Sequence, residues 1–250
     1  MRTQPQKRDL SLYGGKDPRD LPIYSLDEAA HIVRLPSATL RGWTNEPTSH
    51  NEVLSKRRIA SAILLPDSSE GLLSFINVIE AHVLKAVRQS LGAQVPKLRA
   101  AIAALRKDFA TPHPLAALNL YGEGAGVLVK LALYLNASDD AQHALQKIAR
   151  VYLARIEWEE YRPMRLYPFL SEPRIEGDVA EHPRLVSVNP FVSFGRPTVA
   201  GTNIHTEAIA DLFFAGESID ELAREYELDS SFIEAAVRFE GSRLAGKAAA

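Results

Sequence analysis

Apolar positions recur along the chain with a helical period for most of its length, and Gly, Pro and capping residues cut that pattern into short segments. Leu26, Ala29, Ala30 and Val33 share one face of a helix opened by Ser25, with Glu28 three residues on to complete a capping box. Pro36 stops this helix and Ser37 helps start another, which turns Leu40 and Trp43 inward and leaves Thr39, Arg41 and Thr44 to project. Two short helices around a tight turn are helix-turn-helix grammar. Apolar runs at 59–65 and 72–75 flank a Pro/Asp/Ser/Gly loop, the pattern of a hairpin, with Lys56-Arg57-Arg58 at its root. Helices at 76–91 and 96–109 follow as an antiparallel pair, with Gly92 as stop and Pro96 in the first turn.

From 110 to 192 the pattern is less regular. Runs at 118–121 and 127–131 around Gly122, Gly124 and Gly126 read as a β-hairpin. A phosphate cradle would lead into a helix N-terminus with different glycine spacing, so no nucleotide loop is expected. An amphipathic helix at 139–158 places Leu145, Ile148, Ala149, Tyr152 and Ile156 at core spacing, and strands are expected at 164–169 and 185–188. The last segment has the densest punctuation. A β-rich stretch around Gly195 and Gly201 precedes a helix at 205–215 that Gly216 ends, a second opened by a Ser218/Glu221 capping box, and a third carrying Phe232, Ala236 and Phe239.

The fold class expected is mainly α with small β elements. Five parts follow: a flexible or loosely docked N-terminal arm at 1–20, a winged helix-turn-helix plus helical pair at 21–110, a small α/β linker domain at 111–190, a trihelical helix-turn-helix module at 191–240 and a flexible tail at 241–250. At 250 residues, 46% hydrophobic and 24% charged, the chain has ordinary globular composition. It has no cysteine, hence no disulfide framework and no thiolate metal site, which fits a reducing cytoplasm. No window reaches the ~18 apolar residues of a membrane span, and no membrane contact is expected.

The net charge of −2 conceals a division. Residues 1–110 carry 16 Lys and Arg against 11 Asp and Glu, whereas residues 111–250 carry 13 against 20. The basic part suits a polyanion and the acidic part repels one. Phosphate binding needs cations near the backbone, so the acidic C-terminal module is assigned to protein contact. No catalytic constellation is visible. His31, His50, His82, His113, His143, His182 and His205 lack ligand spacing, no serine sits in G-x-S-x-G, and Glu157, Glu159 and Glu160 are sequential rather than opposed. No enzyme, metal or cofactor is expected.

The run G-R-P-T-V-A-G-T-N-I, the following A-G-E-S-I-D-E-L-A-x-x-Y and the final helix resemble a small bacterial antitoxin domain catalogued as a domain of unknown function. Chains with a longer N-terminal extension resemble VapB-like antitoxins, encoded beside a PIN-like ribonuclease toxin. At the other end, Y-S-L-D-E-A-A and S-A-T-L-R-G-W look like the start of a MerR-like winged helix, although Gly42-Trp43 stands where that pattern continues with two aromatics. These resemblances imply an antitoxin that binds and neutralises a PIN-like ribonuclease and represses its own operon. They also imply a homodimer formed through the helical pair, set on a palindromic operator. Ser37, Thr39, Arg41, Trp43, Thr44, Lys56, Arg57 and Arg58 are the DNA-binding candidates. Arg238, Arg243 and Lys247 are the candidates for placing a cation among the toxin's metal-binding carboxylates. The alternatives are a stand-alone MerR-like regulator whose middle domain binds an effector, and an assembly protein that never touches DNA.

Overall fold

The computed structural model describes residues 10–44, 62–117, 125–173 and 182–248, apart from the side chains of Ala125, Ile148 and 242–248. The protein is mainly helical with two small two-stranded sheets. α1 (Leu26–Val33) and α2 (Ser37–Thr44) form the N-terminal helical pair. The Ser25/Glu28 capping box is made in both directions, and Arg34 closes α1 in a left-handed conformation at φ 57°. α1 buries Leu26, Ala29, Ala30 and Val33 as one stripe, widened by Ile32, and packs on both α2 and the helix at Phe75–Leu91.

α3 (Phe75–Leu91) is the central helix, buried on every face from Phe75 to Val87. α4 (Val95–Asp108) follows Gly92, which takes a left-handed φ of 54°, and its main helix packing is on the next helix rather than on α3, so the expected antiparallel pair with α3 is not formed. α5 (Ala125–Tyr134) packs on α4, and α6 (Asp139–Leu153) packs along α3. β1 (Ile156–Glu159) and β2 (Arg162–Leu166) form an antiparallel hairpin. β3 (Val186–Ser187) pairs with β4 (Thr198–Val199), and a Leu166–Val188 bridge joins the two sheets. α7 (Thr206–Ala215), α8 (Ile219–Glu225) and α9 (Ser230–Ala248) complete the chain. One hydrophobic cluster runs from Tyr24 to Val188, and a second gathers Val199, Ile209, Leu222, Ile233 and Ala236. Each Leu, Ile or Val fully buried in these clusters contributes about 1.5–3 kcal/mol.

Several expectations are corrected. Residues 127–131, read as a strand, lie in α5; Leu128, Lys130 and Leu131 favour a helix there, and a short apolar run cannot be told apart by period. Residues 118–124 of the expected hairpin lie outside the described ones. α6 ends at Leu153 rather than 158, and Ile156 and Trp158 enter β1. The helix stops where Arg155 turns inward to donate to the carbonyls of Tyr167 (2.8 Å), Pro168 (3.1 Å), His182 and Pro183 (3.3 Å). The wing is different too: Leu73 bridges to Tyr24 instead of pairing with 62–65, while Ile63 and Leu64 donate to the Trp43 carbonyl. Ser74 then caps α3 in a capping box with Asn77, whose side chain holds Leu65 O and Asp67 N. The loop at 66–71 is thus a helix-capping loop.

The N-terminal stretch from Leu10, expected as part of a flexible or loosely docked arm, is folded back. It makes 3₁₀ turns at Ser11–Tyr13 and Pro18–Asp20. Tyr13 Oη donates to Pro190 O at 3.1 Å, and Arg162 bridges Asp17 (2.8 Å) and Asp20. At the other end α9 continues to Ala248, through most of the expected tail.

Several buried polar groups of the core are partnered across long stretches of chain. His82 is stacked on Phe169 and its Nε2 lies 3.1 Å from Tyr152 O; burial pushes its imidazole down to about 3, so the ring is neutral and donates that bond. Lys85 Nζ donates to Arg34 O at the end of α1 (3.0 Å) and to Glu172 (2.6 Å). His113 bridges Glu80 (Nδ1, 2.8 Å) and Asp67 (Nε2, 2.9 Å), tying the loop after α4 to the start of α3.

Candidate functional site

A buried polar site lies where α1 meets the C-terminal module, joining residues some 200 apart in sequence that no local pattern connects. α9 ends its covered part against α1: the rings of His31 and Phe239 lie 4.5 Å apart edge to face, and the Arg34 guanidinium sits 4.3 Å above the Phe239 ring. His31 Nε2 is 3.2 Å from Glu240 Oε2, and Thr206 Oγ1 donates to Glu240 Oε1 at 2.6 Å. The His31–Glu240 approach is within ion-pair distance but off the hydrogen-bond line. Arg34 Nε also donates to Phe169 O at 3.2 Å. Burial pulls the Arg34 guanidinium down to about 10, against the opposing pull of Glu240, and it remains charged at neutral pH.

Beside this contact the chain turns through Ser193, Phe194 and Gly195 at φ 49°, 52° and 76°. Ser193 and Phe194, left-handed and not glycine, each store backbone strain of about 1–3 kcal/mol, whereas Gly195 takes this conformation freely. The turn is held from the far side: Tyr24 Oη donates to Gly195 O at 2.9 Å, and burial raises the Tyr24 phenol so that it stays protonated. A Cβ on Gly195 would lie 2.0 Å from that phenol oxygen. The first glycine of G-R-P-T-V-A-G-T is therefore required by both its φ and the close approach of Tyr24. Phe194, 58% exposed, stands at the mouth of a cleft of about 470 Å³ lined also by Ile23, Glu28, His31, Arg196, His205, Glu207 and Glu240. This volume lies within the range of small-ligand sites, about 300–1,000 Å³.

The residues singled out in the sequence fall elsewhere. On α2, Arg41 is exposed, and Ser37 and Thr39 are half-buried. Trp43 and Thr44 are each 1% exposed, and the Thr44 hydroxyl donates to Arg41 O at 3.1 Å, so neither reaches a DNA groove; both are removed from the DNA-binding set. Lys56, Arg57 and Arg58 lie outside the described residues. On α9, Arg238 is exposed, while the side chains of Arg243 and Lys247 are not among those described. The outer surface of the C-terminal module carries exposed Asp211, Asp220, Glu225 and Glu234, with Phe214 53% exposed on α7. Among the described residues no His, Asp or Glu group of three or more has a metal-holding arrangement, and no helix is long and apolar enough to cross a membrane.

Three comparisons bear on this arrangement. Residues 186–239 match the family described as Protein of unknown function (DUF433), which spans β3, the strained turn, β4, α7, α8 and α9 to Phe239. The chain is similar to a protein of Mycobacterium tuberculosis (strain ATCC 25618 / H37Rv) that bears the name "Putative antitoxin VapB45". The two are 26% identical over 223 residues, 83% of this chain and 89% of that protein. Among solved structures, the crystal structure of Rv2018 from Mycobacterium tuberculosis shares the fold at a TM-score of 0.59 and 21% identity, covering 87% of this chain and 98% of that one. The similarity extends well beyond residues 186–239 of the DUF433 match.

Proposed function

We propose that the protein is the antitoxin of a type II toxin–antitoxin pair. It binds and neutralises a PIN-like ribonuclease, represses its own operon as a homodimer on operator DNA, and acts in the cytoplasm without catalysis or cofactor. The observation that carries this reading is the similarity along 83% of the chain to a protein named as an antitoxin. The charge division supports it, with the basic residues concentrated at 1–110 and the C-terminal module presenting exposed acidic side chains and an exposed Phe214. An exposed aromatic on a charged module suits a protein partner. In this reading 21–110 is the DNA-binding part and 191–240 the toxin-binding part. DNA contact is carried by Ser37, Thr39, Arg41 and Lys56-Arg57-Arg58.

The test is co-purification of the adjacent gene's product with tagged full-length chain. Deleting 191–250 would uncover Tyr24 and the α1 face, so charge reversal is the cleaner probe. Wild type is expected to retain the partner, and Asp211→Lys/Asp220→Lys/Glu225→Lys to lose it; absence of any partner from the wild type sinks the antitoxin reading. The triple variant Arg238→Ala/Arg243→Ala/Lys247→Ala is expected to bind the toxin but inhibit it less. Full inhibition by that variant removes the cation mechanism. For operator DNA, Arg41→Ala is expected to weaken binding evenly across sequences and to reduce the slope of log K on log salt by about one.

The stand-alone regulator is the second reading, and the cleft favours it. An effector bound there, between α1 and the C-terminal module rather than in the middle segment, would act directly behind α2.

A further inference from the structure

We infer that Arg34 is a hinge through which the C-terminal module sets the angle of α2 against α1. What α2 contacts rests on the reading proposed above; the hinge rests on the turn between the two helices. α1 ends in a Schellman closure, with Leu35 N donating to Ala30 O at 2.9 Å and Arg34 in the left-handed region at φ 57° and ψ 50°. Glycine is the usual residue at that position, because an L side chain there is strained. The arginine in its place sends its guanidinium out of the helical pair to the Phe239 ring of α9, 4.3 Å away, and its Nε donates to Phe169 O at 3.2 Å. Strain of this kind persists where the surroundings over-determine the conformation.

Those surroundings come mostly from the other end of the chain. His31, one turn earlier on α1, meets the same Phe239 ring edge to face at 4.5 Å. Glu240 lies 3.2 Å from His31 Nε2 and is fixed from its other side by Thr206, the first residue of α7, at 2.6 Å. Lys85 of α3 holds the Arg34 carbonyl at 3.0 Å. α2 by contrast packs chiefly on α1, and its far end is held where Ile63 and Leu64 donate to Trp43 O. The φ and ψ of Arg34 therefore set the direction in which α2 leaves α1, and α9 grips the side chain of that residue. Coupling of this kind is reciprocal: a ligand of α2 that prefers one angle tightens the α1–α9 contact by the same factor.

The chain has two tryptophans, Trp43 on α2 and Trp158 on β1, so full-length Trp158→Phe leaves the buried Trp43 as the sole indole reporter of α2. In that background Phe239→Leu keeps apolar bulk but removes the ring beneath Arg34. It is expected to make Trp43 more accessible to acrylamide and to speed amide exchange over 37–44 by about tenfold, the worth of a desolvated cation–π contact. Ile233→Val, a core change nearly two turns earlier on α9, is expected to leave both readouts at wild-type values. Arg34→Gly keeps the left-handed turn without the tether, so it is expected to hold α2 in place and to make Phe239→Leu silent there. Arg34→Ala loses the tether and keeps the strain, and is expected to loosen α2. The inference is overturned if Phe239→Leu leaves Trp43 and the 37–44 amides unchanged, if Ile233→Val loosens them equally, or if Phe239→Leu acts as strongly in the Arg34→Gly protein. Neither DNA nor toxin enters these measurements, so a flat result sinks the hinge alone, and failure of the antitoxin reading leaves the hinge standing.

Discussion

His113→Gln is expected to destabilise the protein by about 3–5 kcal/mol, the cost of leaving a buried charge without its partner. The charge left behind is Glu80, 2% exposed on α3, whose other oxygen accepts from Leu115 N at 3.3 Å. In the native protein His113 lies 2.8 Å from it and 2.9 Å from Asp67, and Asp67 in turn accepts from the capping hydroxyl of Ser74. A glutamine amide is too short of charge to replace an imidazolium between two carboxylates. At this chain length the loss corresponds to a fall in Tm of roughly 6–20 °C. The double variant His113→Gln/Glu80→Gln removes both charges and is expected to recover a large part of the stability. If the single variant melts within about 2 °C of wild type, below the smallest shift a buried-pair loss should give, the ion network does not hold this loop.

The same network sets a pH dependence. Burial alone would lower the His113 imidazole, but the hydrogen bonds its ring donates to Asp67 and Glu80, with their charges, push it up to about 10 from an ordinary 6.5. Asp67 moves down despite its burial, because His113 and Ser74 donate to it. The folded pKa of His113 is raised, so its contribution is complete below 6.5 and is lost as pH climbs through about 10. The contribution of Asp67 has the opposite sign, present above its ordinary 3.8 and lost as pH falls through its lowered value. Wild type is expected to lose Tm between pH 7 and pH 10, and His113→Gln to lack that component. Parallel profiles for the two would remove His113 as its source.

How much of this was legible in the sequence depended on the distance over which each interaction acts. The capping boxes Ser25/Glu28 and Ser218/Glu221, the stops at Gly92 and Gly216, and the helices of the C-terminal module are local chemistry, and the chain states them within four residues. Segments whose state is set by tertiary contact were misread. Residues 127–131 are apolar enough for strand or helix, and packing on α4 decides for helix. Leu72-Leu73 reads as a returning strand, but its partner is Tyr24. The candidate site was the least legible part. His31 and Glu240 are 209 positions apart, as are no capping or ligand motifs, and nothing near Glu240 marks it as a buried acceptor. Only Gly195, first residue of a dense turn motif, carried a readable signal, and its reason needed Tyr24 to be seen.

That reason leads to the second large effect. Gly195→Ala is expected to cost about 2–4 kcal/mol, combining a left-handed backbone that alanine disfavours with a side chain forced into a filled space. The added Cβ would meet Tyr24 Oη at 2.0 Å and Cζ at 3.0 Å, and the Tyr24 ring, 5% exposed in the main core, cannot swing aside. Relief must come from α1 and the C-terminal module moving apart, which strains the His31–Glu240 and Arg34–Phe239 contacts as well. Tyr24→Phe by itself leaves Gly195 O without its donor, a loss of about 1–3 kcal/mol. Made together, the two changes are expected to cost clearly less than their sum, because the phenylalanine lacks the atom that clashes. Equilibrium denaturation of the four proteins closes the cycle. Additive losses, or a Gly195→Ala protein within about 0.5 kcal/mol of wild type, would show that the turn does not depend on Tyr24 and that the two ends of the chain are seated by other contacts.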